Sequence, residues 1–449
     1  MSTALRTDRY ELTMLDAAIG SGTWERECIF EVFARRLPEG RRYGIVAGTG
    51  RLLAALEEFR FGDAELEWLR TNEVVGGPAL EWLADYRFTG SISGYREGEA
   101  YFPGSPMLVV DGSFAEAVIL ETLVLSVLNY DCAVASAAAR MVSAAEGRPL
   151  AEMGSRRANE HAAVAAARAA FIAGFGATSN LEAGRAWDIP TMGTAAHAFT
   201  LLHDSEEEAF RAQVDAFGPS TTLLVDTFDI EHGVELAVKV AGTSLGAVRI
   251  DSGDLAEQVA AVRKQLDSLG AKQTRITVTS DLDEYSIAAL RAAPVDSYGV
   301  GTSVVTGSGH PAAGLVYKLV ARRDDAGEWV SVAKKSIAKA TVGGRKLPVR
   351  AVRDGVAVAE RIYVEGAPSP GPTQPGPDDP PGSTGRAAGT VWERPLLVPL
   401  MTAGVADPKH LGPEGVLAAR EHRAAAVAEL PTDALRLSRG EPALDTVYV

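Results

Sequence analysis

The sequence predicts an α/β protein built around a parallel β-sheet and preceded by an α+β region. Between residues 189 and 305, short apolar runs rich in β-branched residues alternate with helix-like segments. Each run, together with the small or polar residues that end it, lies at residues 189–197, 221–229, 247–255, 275–284 and 295–305. Strands that alternate with helices form parallel pairs, because each return strand needs a crossover connection. Residues 86–114, in contrast, are β-rich and broken at glycine and proline, which predicts antiparallel hairpins.

The elements before the alternating region are predicted from capping residues and periodicity. Residues 7–20 predict a capped helix with a capping-box glutamate, and residues 28–33 alternate as a strand. Residues 116–146 have a long helical pattern, either one helix or two helices that part near Asn129. An N-terminal α+β domain is therefore predicted over residues 1–130.

The rest of the chain divides by composition and pattern. An α/β domain is predicted over residues 131–313, and β-like runs return over residues 314–401. Within them, residues 366–385 are too rich in proline and glycine to bury a core, which predicts a disordered loop. A helical pattern near residues 415–429 predicts a helical tail over residues 402–449.

Composition and charge argue against several classes of protein. The 449 residues are 46% hydrophobic, enough for two or three domains, and the formal net charge is −15. Such a charge repels phosphate-rich partners, so neither nucleic acid nor a membrane surface is expected as a partner. Cys28 and Cys132 are the only cysteines, which supports neither a disulfide framework nor a cysteine-based zinc site.

The start of the sequence bears on localisation. It lacks the basic and then apolar run of a signal peptide. We also expect no apolar stretch of the about 20 residues that span a bilayer. A soluble, cytoplasmic protein is therefore expected.

Polar or small residues follow each of the apolar runs, where the predicted parallel strands end. They are Thr194 and His197, Asp226, Arg249 and Asp251, Ser280 and Asp281, and Gly301 and Thr302. Parallel sheets, open or closed into a barrel, bind ligands at the carboxyl ends of their strands. The sequence therefore predicts a ligand site at this edge of the sheet.

His197 and the pair Arg249 and Asp251 each have competing interpretations. A lone histidine is more often a packed or surface residue than a catalytic one, but Thr194 lies one helical turn earlier and would point the same way. Arg249 and Asp251 project from one face of a strand, where a charged pair is costly unless it meets a ligand or partner. Alternatively, Asp254 caps the next helix and Arg249 is a simple counterion. A guanidinium group is nonetheless a natural receptor for carboxylate or phosphate.

A glycine-rich turn at residues 299–303 has exposed amides at a strand-to-helix junction, which binds phosphate well. Glycine is also the usual residue of any tight turn, so this feature alone leaves both interpretations open. Arg156 and Arg157 are open to the same choice between ligand binding and plain surface charge. Because no lysine follows any of the apolar runs, a Schiff-base aldolase is disfavoured.

An ordered series of segments resembles the nicotinate phosphoribosyltransferase family. The segments are TDRYELTM at Thr7, YRFTGSISGYREGE at Tyr86, LETLVLSVLNY at Leu120, GSRRA at Gly154, TSNLEAG at Thr178, GTAAH at Gly193, RIDSGDL at Arg249, SDLDE at Ser280 and YGVGTSVVT at Tyr298. The resemblance spans nearly the whole chain, and the complete set is specific, whereas a short piece such as GVGT would mean little alone.

The resemblance implies a fold and a reaction. The implied fold is an irregular, incomplete (β/α) barrel beside a sandwich-like α+β domain, which the N-terminal region and the returning C-terminal strands build. The implied assembly is a homodimer with a shared active site. The implied reaction joins nicotinate to phosphoribosyl pyrophosphate, giving nicotinate mononucleotide and pyrophosphate in NAD salvage. ATP is implied as co-substrate through a phosphohistidine, and Mg²⁺ as a cofactor held through pyrophosphate, with no protein ligands assigned.

The resemblance also implies roles for individual residues. The implied catalytic residues are His197, phosphorylated from ATP, and Asp251. The implied nicotinate-binding residues are Tyr10, which reaches into the partner's site, Arg156, Ser179, Thr194 and Arg249. The implied phosphoribosyl pyrophosphate-binding residues are Asp226, Asp281, Gly301 and Thr302.

Two positions bear on specificity, and other functions stay open. Related nicotinamide enzymes carry an aspartate where this chain has Ser179, and an aspartate would repel a carboxylate, so nicotinate is the expected substrate. Met153 stands where relatives often carry an aromatic that stacks on the pyridine ring. The alternatives are a nicotinamide or quinolinate enzyme, a sugar-phosphate aldolase or isomerase that ignores ATP, and a non-catalytic binding module.

Overall fold

The computed structural model describes residues 2–334, 341–365 and 389–449. The chain forms two compact units. The first unit contains residues 1–136 and 310–449, and the second unit contains residues 137–309. The loop predicted at residues 366–385 lies outside the described residues.

Helices and strands are numbered here in chain order. The α-helices are α1 Arg9–Ser21, α2 Thr49–Glu57, α3 Asp63–Thr71, α4 Gly77–Ala84, α5 Phe114–Val118, α6 Glu121–Ala145, α7 Glu160–Ala173, α8 Leu181–Trp187, α9 His197–Leu202, α10 Glu206–Phe217, α11 Ile230–Ala241, α12 Leu255–Ser268, α13 Glu284–Ala289, α14 Thr302–Val305 and α15 Gly412–Ala428. The strands are β1 Glu27–Ala34, β2 Gly44–Ile45, β3 Ser91–Tyr95, β4 Ala100–Tyr101, β5 Leu108–Ser113, β6 Leu150–Glu152, β7 Ala177–Thr178, β8 Thr222–Leu224, β9 Ala247–Ile250, β10 Arg275–Val278, β11 Ser297–Val300, β12 Leu315–Arg323, β13 Trp329–Ser331, β14 Lys346–Arg353, β15 Val356–Val364, β16 Val391–Pro395, β17 Leu397–Thr402, β18 Val405–Ala406 and β19 Thr446–Tyr448. Short 3-10 helices lie at Ser155–Arg157, Gly242–Ser244, Leu290–Ala292, Pro408–His410 and Thr432–Leu435.

The first unit is the predicted sandwich-like α+β domain. Its larger sheet has the strand order β13-β12-β1-β5-β3-β17-β18, and a smaller one has the order β16-β14-β15-β19. Strands from the end of the chain pair with strands from its start, β12 with β1 and β17 with β3, both antiparallel. The predicted return of C-terminal strands to the N-terminal region is confirmed. The antiparallel pairing of β3 with β5 confirms the hairpins predicted within residues 86–114.

One capping prediction in the first unit was wrong. Glu11 was expected to complete a capping box of α1, but its carboxylate accepts hydrogen bonds from the hydroxyls of Thr7 and Thr122. The same carboxylate accepts the backbone N–H of Thr122 at 2.9 Å. That amide lies in the first turn of α6, where amides have no partner within the helix. Glu11 therefore stabilises the start of α6 rather than that of its own helix.

Helix α6 is continuous through Asn129, one of the two arrangements that the sequence left open. The Asn129 side chain accepts the N–H of Leu315 at 2.8 Å and donates to its carbonyl at 3.4 Å, so this polar group is satisfied by the start of β12. The helical pattern instead breaks at Ile119 and Leu120, between α5 and α6.

The expectation of no membrane-length apolar stretch was wrong for the segment that contains α5 and α6. Residues Phe114–Ala145 have a mean hydropathy of 1.6 in their most apolar window and are long enough to cross a bilayer. In that window, 67% of the residues are buried inside the protein. Core helices that pack on all sides have the same composition, because burial in protein and burial in lipid both favour apolar side chains.

The second unit contains a curled parallel sheet with the strand order β7-β6-β11-β10-β9-β8. Each neighbouring pair is parallel. Strand β6, the first of these strands in the chain, pairs with β11, the last. Beyond β7, Thr191 forms an isolated parallel bridge with Thr178, and no described residue joins this edge to β8. The predicted irregular, incomplete (β/α) barrel is confirmed.

The strands of this barrel were only partly predicted. The last four apolar runs contain β8 to β11, whereas residues 189–197 form no strand and contribute only the bridge at Thr191. Pro190 and Gly193 explain this, since both weaken a strand ladder. Strand β6 was not predicted, and residues 176–180, which contain β7, were predicted only as a loop or the end of a strand, because three and two residues are too few to show alternation.

A buried ion pair joins the two main sheets of the first unit. Lys346 Nζ of β14 lies 2.7 Å from Glu31 Oε2 of β1, and each side chain is 2% exposed. Burial lowers the pKa of Lys346 and raises the pKa of Glu31, so desolvation opposes the charge of both partners.

We predict that Lys346→Met lowers the free energy of unfolding by about 3–5 kcal/mol, because it leaves the Glu31 carboxylate buried and unpaired. The double variant Glu31→Leu/Lys346→Met should recover most of that loss, since it removes both charges. Urea unfolding followed by circular dichroism measures both values. A double variant that is less stable than Lys346→Met would contradict this account.

Candidate functional site

A cavity of about 450 Å³ lies in the second unit, at the carboxyl edge of the parallel sheet. The segments that follow β6, β7, β9, β10 and β11 line it, together with the turn after Thr191. The lining residues are Met153, Ser155, Arg156, Arg157, Ser179, Met192, Gly193, Thr194, Ala195, Ala196, Arg249, Asp251, Thr279, Ser280, Asp281, Gly299, Gly301 and Thr302. The predicted site residues among them are Arg156, Ser179, Thr194, Arg249, Asp251, Asp281, Gly301 and Thr302.

Arg249 is the cation held most firmly in this cavity. Strand alternation buries Val248 and Ile250 in the sheet and leaves Arg249 on the cavity side. Its Nη1 donates to Thr194 Oγ1 and to the carbonyl of Ala195, the latter at 3.2 Å. Its Nε is buried without a hydrogen-bond partner among the described residues. The contacts of Nη1 therefore fix the guanidinium in place, and they do not use the N–H groups of Nε and Nη2.

The surroundings of Arg249 mix burial with opposite charges. Burial lowers the pKa of Arg249, whereas the carboxylates of Asp251 and Asp226 raise it and the charge of Arg156 lowers it again. An arginine keeps its proton under such conditions. A charged guanidinium that is poorly solvated and lies near a second arginine gains from an anionic ligand.

Asp251 is oriented by two neighbouring strands. Its Oδ1 accepts a hydrogen bond from Thr279 Oγ1, beyond β10. Its backbone N–H donates to Asp226 Oδ2 at 2.8 Å, and Ser252 Oγ donates to the same oxygen at 2.8 Å. Asp226 itself is 9% exposed and does not line the cavity. It holds the turn that carries Asp251.

Glycines let the loops at the cavity pack together. A Cβ on Gly154 would lie 2.3 Å from Val305 Cγ1 and 2.7 Å from the carbonyl oxygen of Gly301. A Cβ on Gly299 would lie 2.7 Å from the sulfur of Met153. The loop after β6 can therefore lie against the turn after β11 only because Gly154 and Gly299 have no side chain.

Ser280 has an unusual backbone conformation at the cavity. Its φ is 104°, in a region that residues other than glycine rarely adopt. Its carbonyl accepts the N–H of Leu282 at 2.8 Å, which closes a tight turn around Asp281. Such strain persists where surrounding structure imposes it, and here it sets the direction of Asp281, a cavity residue.

Two predicted residues besides Asp226 lie elsewhere. His197 is the first residue of α9 and its Nδ1 lies 3.1 Å from Thr227 Oγ1. It is half-buried and does not line the cavity, although Ala195 and Ala196 just before it do. Tyr10 belongs to α1 of the first unit, is 46% exposed and is not a lining residue. Burial and the neighbouring carboxylates Glu121 and Glu11 raise the pKa of Tyr10.

Sequence analysis missed Thr279 and Glu152, which support site residues without having been singled out. Thr279 is the first polar residue after β10, a signal that could have identified it. Glu152 ends β6 and is completely buried, but a glutamate in an unrecognised strand of three residues gives no signal by itself.

The residues that could hold a divalent metal ion are few. Within the described parts of the chain, no three histidine, cysteine or carboxylate side chains are grouped to hold a metal ion. Asp251 and Asp281 are the carboxylates that line the cavity. This donor set fits Mg²⁺, which typically binds one or two carboxylates together with substrate phosphates.

The chain is similar in sequence and in structure to known proteins. A model of the N-terminal domain of nicotinate phosphoribosyltransferase matches residues 5–129, and a model of the nicotinate phosphoribosyltransferase family matches residues 149–350. A nicotinate phosphoribosyltransferase of Mycobacterium tuberculosis is 54% identical over 98% of this chain and 94% of its own. One of Bacillus subtilis is 37% identical over 81% of this chain and 76% of its own. The crystal structure of human nicotinic acid phosphoribosyltransferase has a TM-score of 0.80 and 25% identity, covering 99% of this chain and 97% of that one.

We predict that Gly154→Ala lowers the free energy of unfolding by about 1–3 kcal/mol, because the added methyl group would overlap Val305 and the backbone at Gly301. Gly193→Ala is the matched control, since it lies in the same cavity lining and its Cβ would meet no atom within 4 Å. It should change stability by less than about 0.5 kcal/mol. Thermal unfolding measures the stability of both variants. Equal losses of stability would contradict the proposed role of the close contact at Gly154.

Proposed function

The chain belongs to the nicotinate phosphoribosyltransferase family, and from this premise we propose that the cavity of the second unit is where nicotinate reacts with phosphoribosyl pyrophosphate. The products are nicotinate mononucleotide and pyrophosphate, in NAD salvage. The observation that carries this proposal is that guanidinium groups, two carboxylates and a glycine turn line one cavity of about 450 Å³. Such a set suits a carboxylate and a phosphorylated sugar bound side by side.

Arg249 is the proposed receptor for the carboxylate of nicotinate. Thr194 and the carbonyl of Ala195 hold its Nη1, so little side-chain freedom is lost on binding. Arg156, which also lines the cavity, adds a second positive charge near Arg249. A carboxylate between the two cations replaces repulsion by attraction.

The transfer step is a substitution at the anomeric carbon of the sugar. The ring nitrogen of nicotinate forms a bond to that carbon while the bond from the carbon to the pyrophosphate oxygen breaks. Positive charge develops on the sugar, and the carboxylates of Asp251 and Asp281 are the cavity groups that stabilise it. Thr279 fixes the Asp251 carboxylate by a hydrogen bond.

The turn at Gly301 and Thr302 offers backbone amides to the 5′-phosphate.

Mg²⁺ is proposed as the metal, with Asp251 and Asp281 as the protein groups that would hold it. When bound, Mg²⁺ supplies charge neutralisation at the departing pyrophosphate. The two carboxylates then serve both the metal and the sugar.

ATP hydrolysis is proposed to act through phosphorylation of His197. Thr227 holds Nδ1 of this histidine, which leaves Nε2 as the nitrogen for the phosphoryl group. His197 follows directly on the turn that contains Thr194 and Ala195, and both of these bond Arg249. A new doubly negative group at the end of this turn is therefore coupled to the nicotinate receptor through three residues of backbone.

A homodimer with a shared active site is also proposed. Large apolar side chains are exposed on segments of the second unit that follow the sheet's carboxyl edge. They are Leu181 at 77%, Leu201 at 63%, Leu202 at 77% and Phe228 at 64% exposure. Tyr10 of a second copy is the residue proposed to complete the ring-binding part of the cavity, and its 46% exposure leaves it available.

The other candidate functions have less support. No lysine occurs among the residues that line the cavity, which leaves a Schiff-base aldolase without its nucleophile. A nicotinamide enzyme is expected to carry an aspartate that accepts from the amide nitrogen, whereas this chain has the uncharged Ser179, which does not repel a carboxylate. A binding module without catalysis gives no reason for paired carboxylates beside a phosphate-binding turn.

We predict that the purified protein, given phosphoribosyl pyrophosphate, Mg²⁺ and ATP, uses nicotinate with a kcat/KM at least about 100-fold above that for nicotinamide. Ser179→Asp should lower the value for nicotinate by about 100-fold, since a carboxylate would face a carboxylate. Ser179→Ala is the control and should retain the preference. Mononucleotide formation measures each value, and a preference of the unaltered protein for the amide would contradict the role of Ser179.

We predict that His197→Ala abolishes the transfer of label from γ-labelled ATP to the protein, because it removes the proposed acceptor. A slow formation of mononucleotide that no longer responds to ATP should persist, since the transfer residues are intact. His203→Ala is the matched control, as His203 follows the same short helix and its Nδ1 bonds the carbonyl of Phe199 at 2.8 Å. Undiminished labelling of His197→Ala would refute the phosphohistidine.

A further inference from the structure

Glu152 is a buried carboxylate at the edge of the cavity that the proposed reaction does not use. It ends β6, between β11 and β7, and its side chain is 0% exposed. Within the described residues, its oxygens are met by an amide and a hydroxyl rather than by a cation: Oε1 accepts the N–H of Gly154, and Oε2 accepts the hydroxyl of Thr178 at 2.6 Å. Burial raises the pKa of Glu152, and these hydrogen bonds oppose the rise.

The two donors come from different loops. Gly154 begins the short helix that carries Ser155 and Arg156, both cavity residues. Thr178 ends β7 immediately before Ser179, and the backbone N–H of Ser179 donates to the carbonyl of Glu152 at 2.8 Å. A single residue thus bonds the loop of Arg156 and the loop of Ser179.

A second link closes this arrangement into a ring. Thr178 Oγ1 accepts the N–H of Asn180 at 3.0 Å, and Asn180 Nδ2 donates to Ser155 Oγ at 3.0 Å. Asn180 Oδ1 also accepts the N–H of Ala183, so the same side chain caps α8. The path from Glu152 through Thr178 and Asn180 to Ser155, and back through Gly154, leaves few ways for the two loops to move apart.

A buried carboxylate without a cation is costly in this place. Desolvation of a charge costs several kcal/mol, and apolar residues would fill the end of a strand at lower cost. The hydrogen bonds that Glu152 accepts do not lengthen β6 or add a strand. Their common effect is to set the distance between two loops that line the cavity.

We propose that Glu152 is a positioning residue for nicotinate: its carboxylate fixes the spacing between Arg156 and Ser179, and so controls affinity for the acid and its selection over the amide. This inference rests on the proposed function, because it takes Arg156 and Ser179 to face nicotinate. Among the described residues, the donors to the Glu152 carboxylate are Gly154 and Thr178, and neither Gly301 nor Thr302 on the sugar-phosphate side of the cavity donates to it. We therefore expect the larger effect on nicotinate.

The test uses the full-length protein with Thr178→Val, Thr178→Ser and Glu152→Gln. Valine has the shape of threonine but cannot donate to Glu152, whereas serine keeps the hydroxyl. We expect Thr178→Val to raise the KM for nicotinate by about tenfold, the effect of losing a hydrogen bond to a charged group, with kcat and the KM for phosphoribosyl pyrophosphate changed less than about threefold. Thr178→Ser should restore the unaltered KM, and Glu152→Gln should act like Thr178→Val.

Thermal unfolding is recorded for each variant so that loss of fold is separated from loss of position. If Glu152→Gln does not fold, the valine and serine pair decides the matter, because both leave the carboxylate in place. A rise in both KM values together with a fall in kcat would overturn the proposal, and so would an unchanged KM for nicotinate in Thr178→Val. Failure of the proposed function is a distinct outcome, since the unaltered protein would then form no mononucleotide.

Discussion

The pairing of β6 with β11 is the constraint on which the site of the second unit depends. It places the first strand of the parallel sheet beside the last, with Tyr298 opposite Leu150 and Val300 opposite Glu152. Because the strands are parallel, their carboxyl ends meet at one edge of the curled sheet. Segments more than 100 residues apart in the chain, such as those of Arg156 and Gly301, therefore line one cavity. Without this pairing, the segments after β6 and β7 would not lie beside those after β9, β10 and β11.

The sequence predicted which residues line the cavity better than it predicted the strands that present them. Arg249 and Asp251 were found because charged residues stand out in a run of Val and Ile, and the cavity contains both. Asp226 also follows a strand, but position along the chain does not give direction, and its side chain turns to the amide of Asp251 instead. Strand β6 was missed and β7 was left uncertain, because three and two residues are too few to show a periodic pattern. These two strands exist because they pair with neighbouring strands of the sheet, and a local sequence pattern gives no information about such pairing.

The net charge of the chain repels the proposed anionic substrates, whereas the cationic groups of the cavity attract them. The chain carries a formal net charge of −15, yet both proposed substrates are anions. Within the cavity, Arg156, Arg157, Arg249 and the amides of the Gly301 turn provide local positive charge that offsets this repulsion. Short-range contacts in a partly buried site are screened less than the surface field, so they determine which ligand stays bound.

The first unit is discontinuous, since residues 137–309 separate its two parts. Strands β12 and β17 occupy positions beside β1 and β3 that no earlier part of the chain fills. During synthesis on the ribosome, the N-terminal 136 residues thus wait with unpaired strand edges, while the barrel emerges as an uninterrupted stretch and can fold first. Unpaired edges invite association with other chains. Nascent chains of this protein are accordingly most exposed to misassembly in the interval before residues 310–449 have left the exit tunnel.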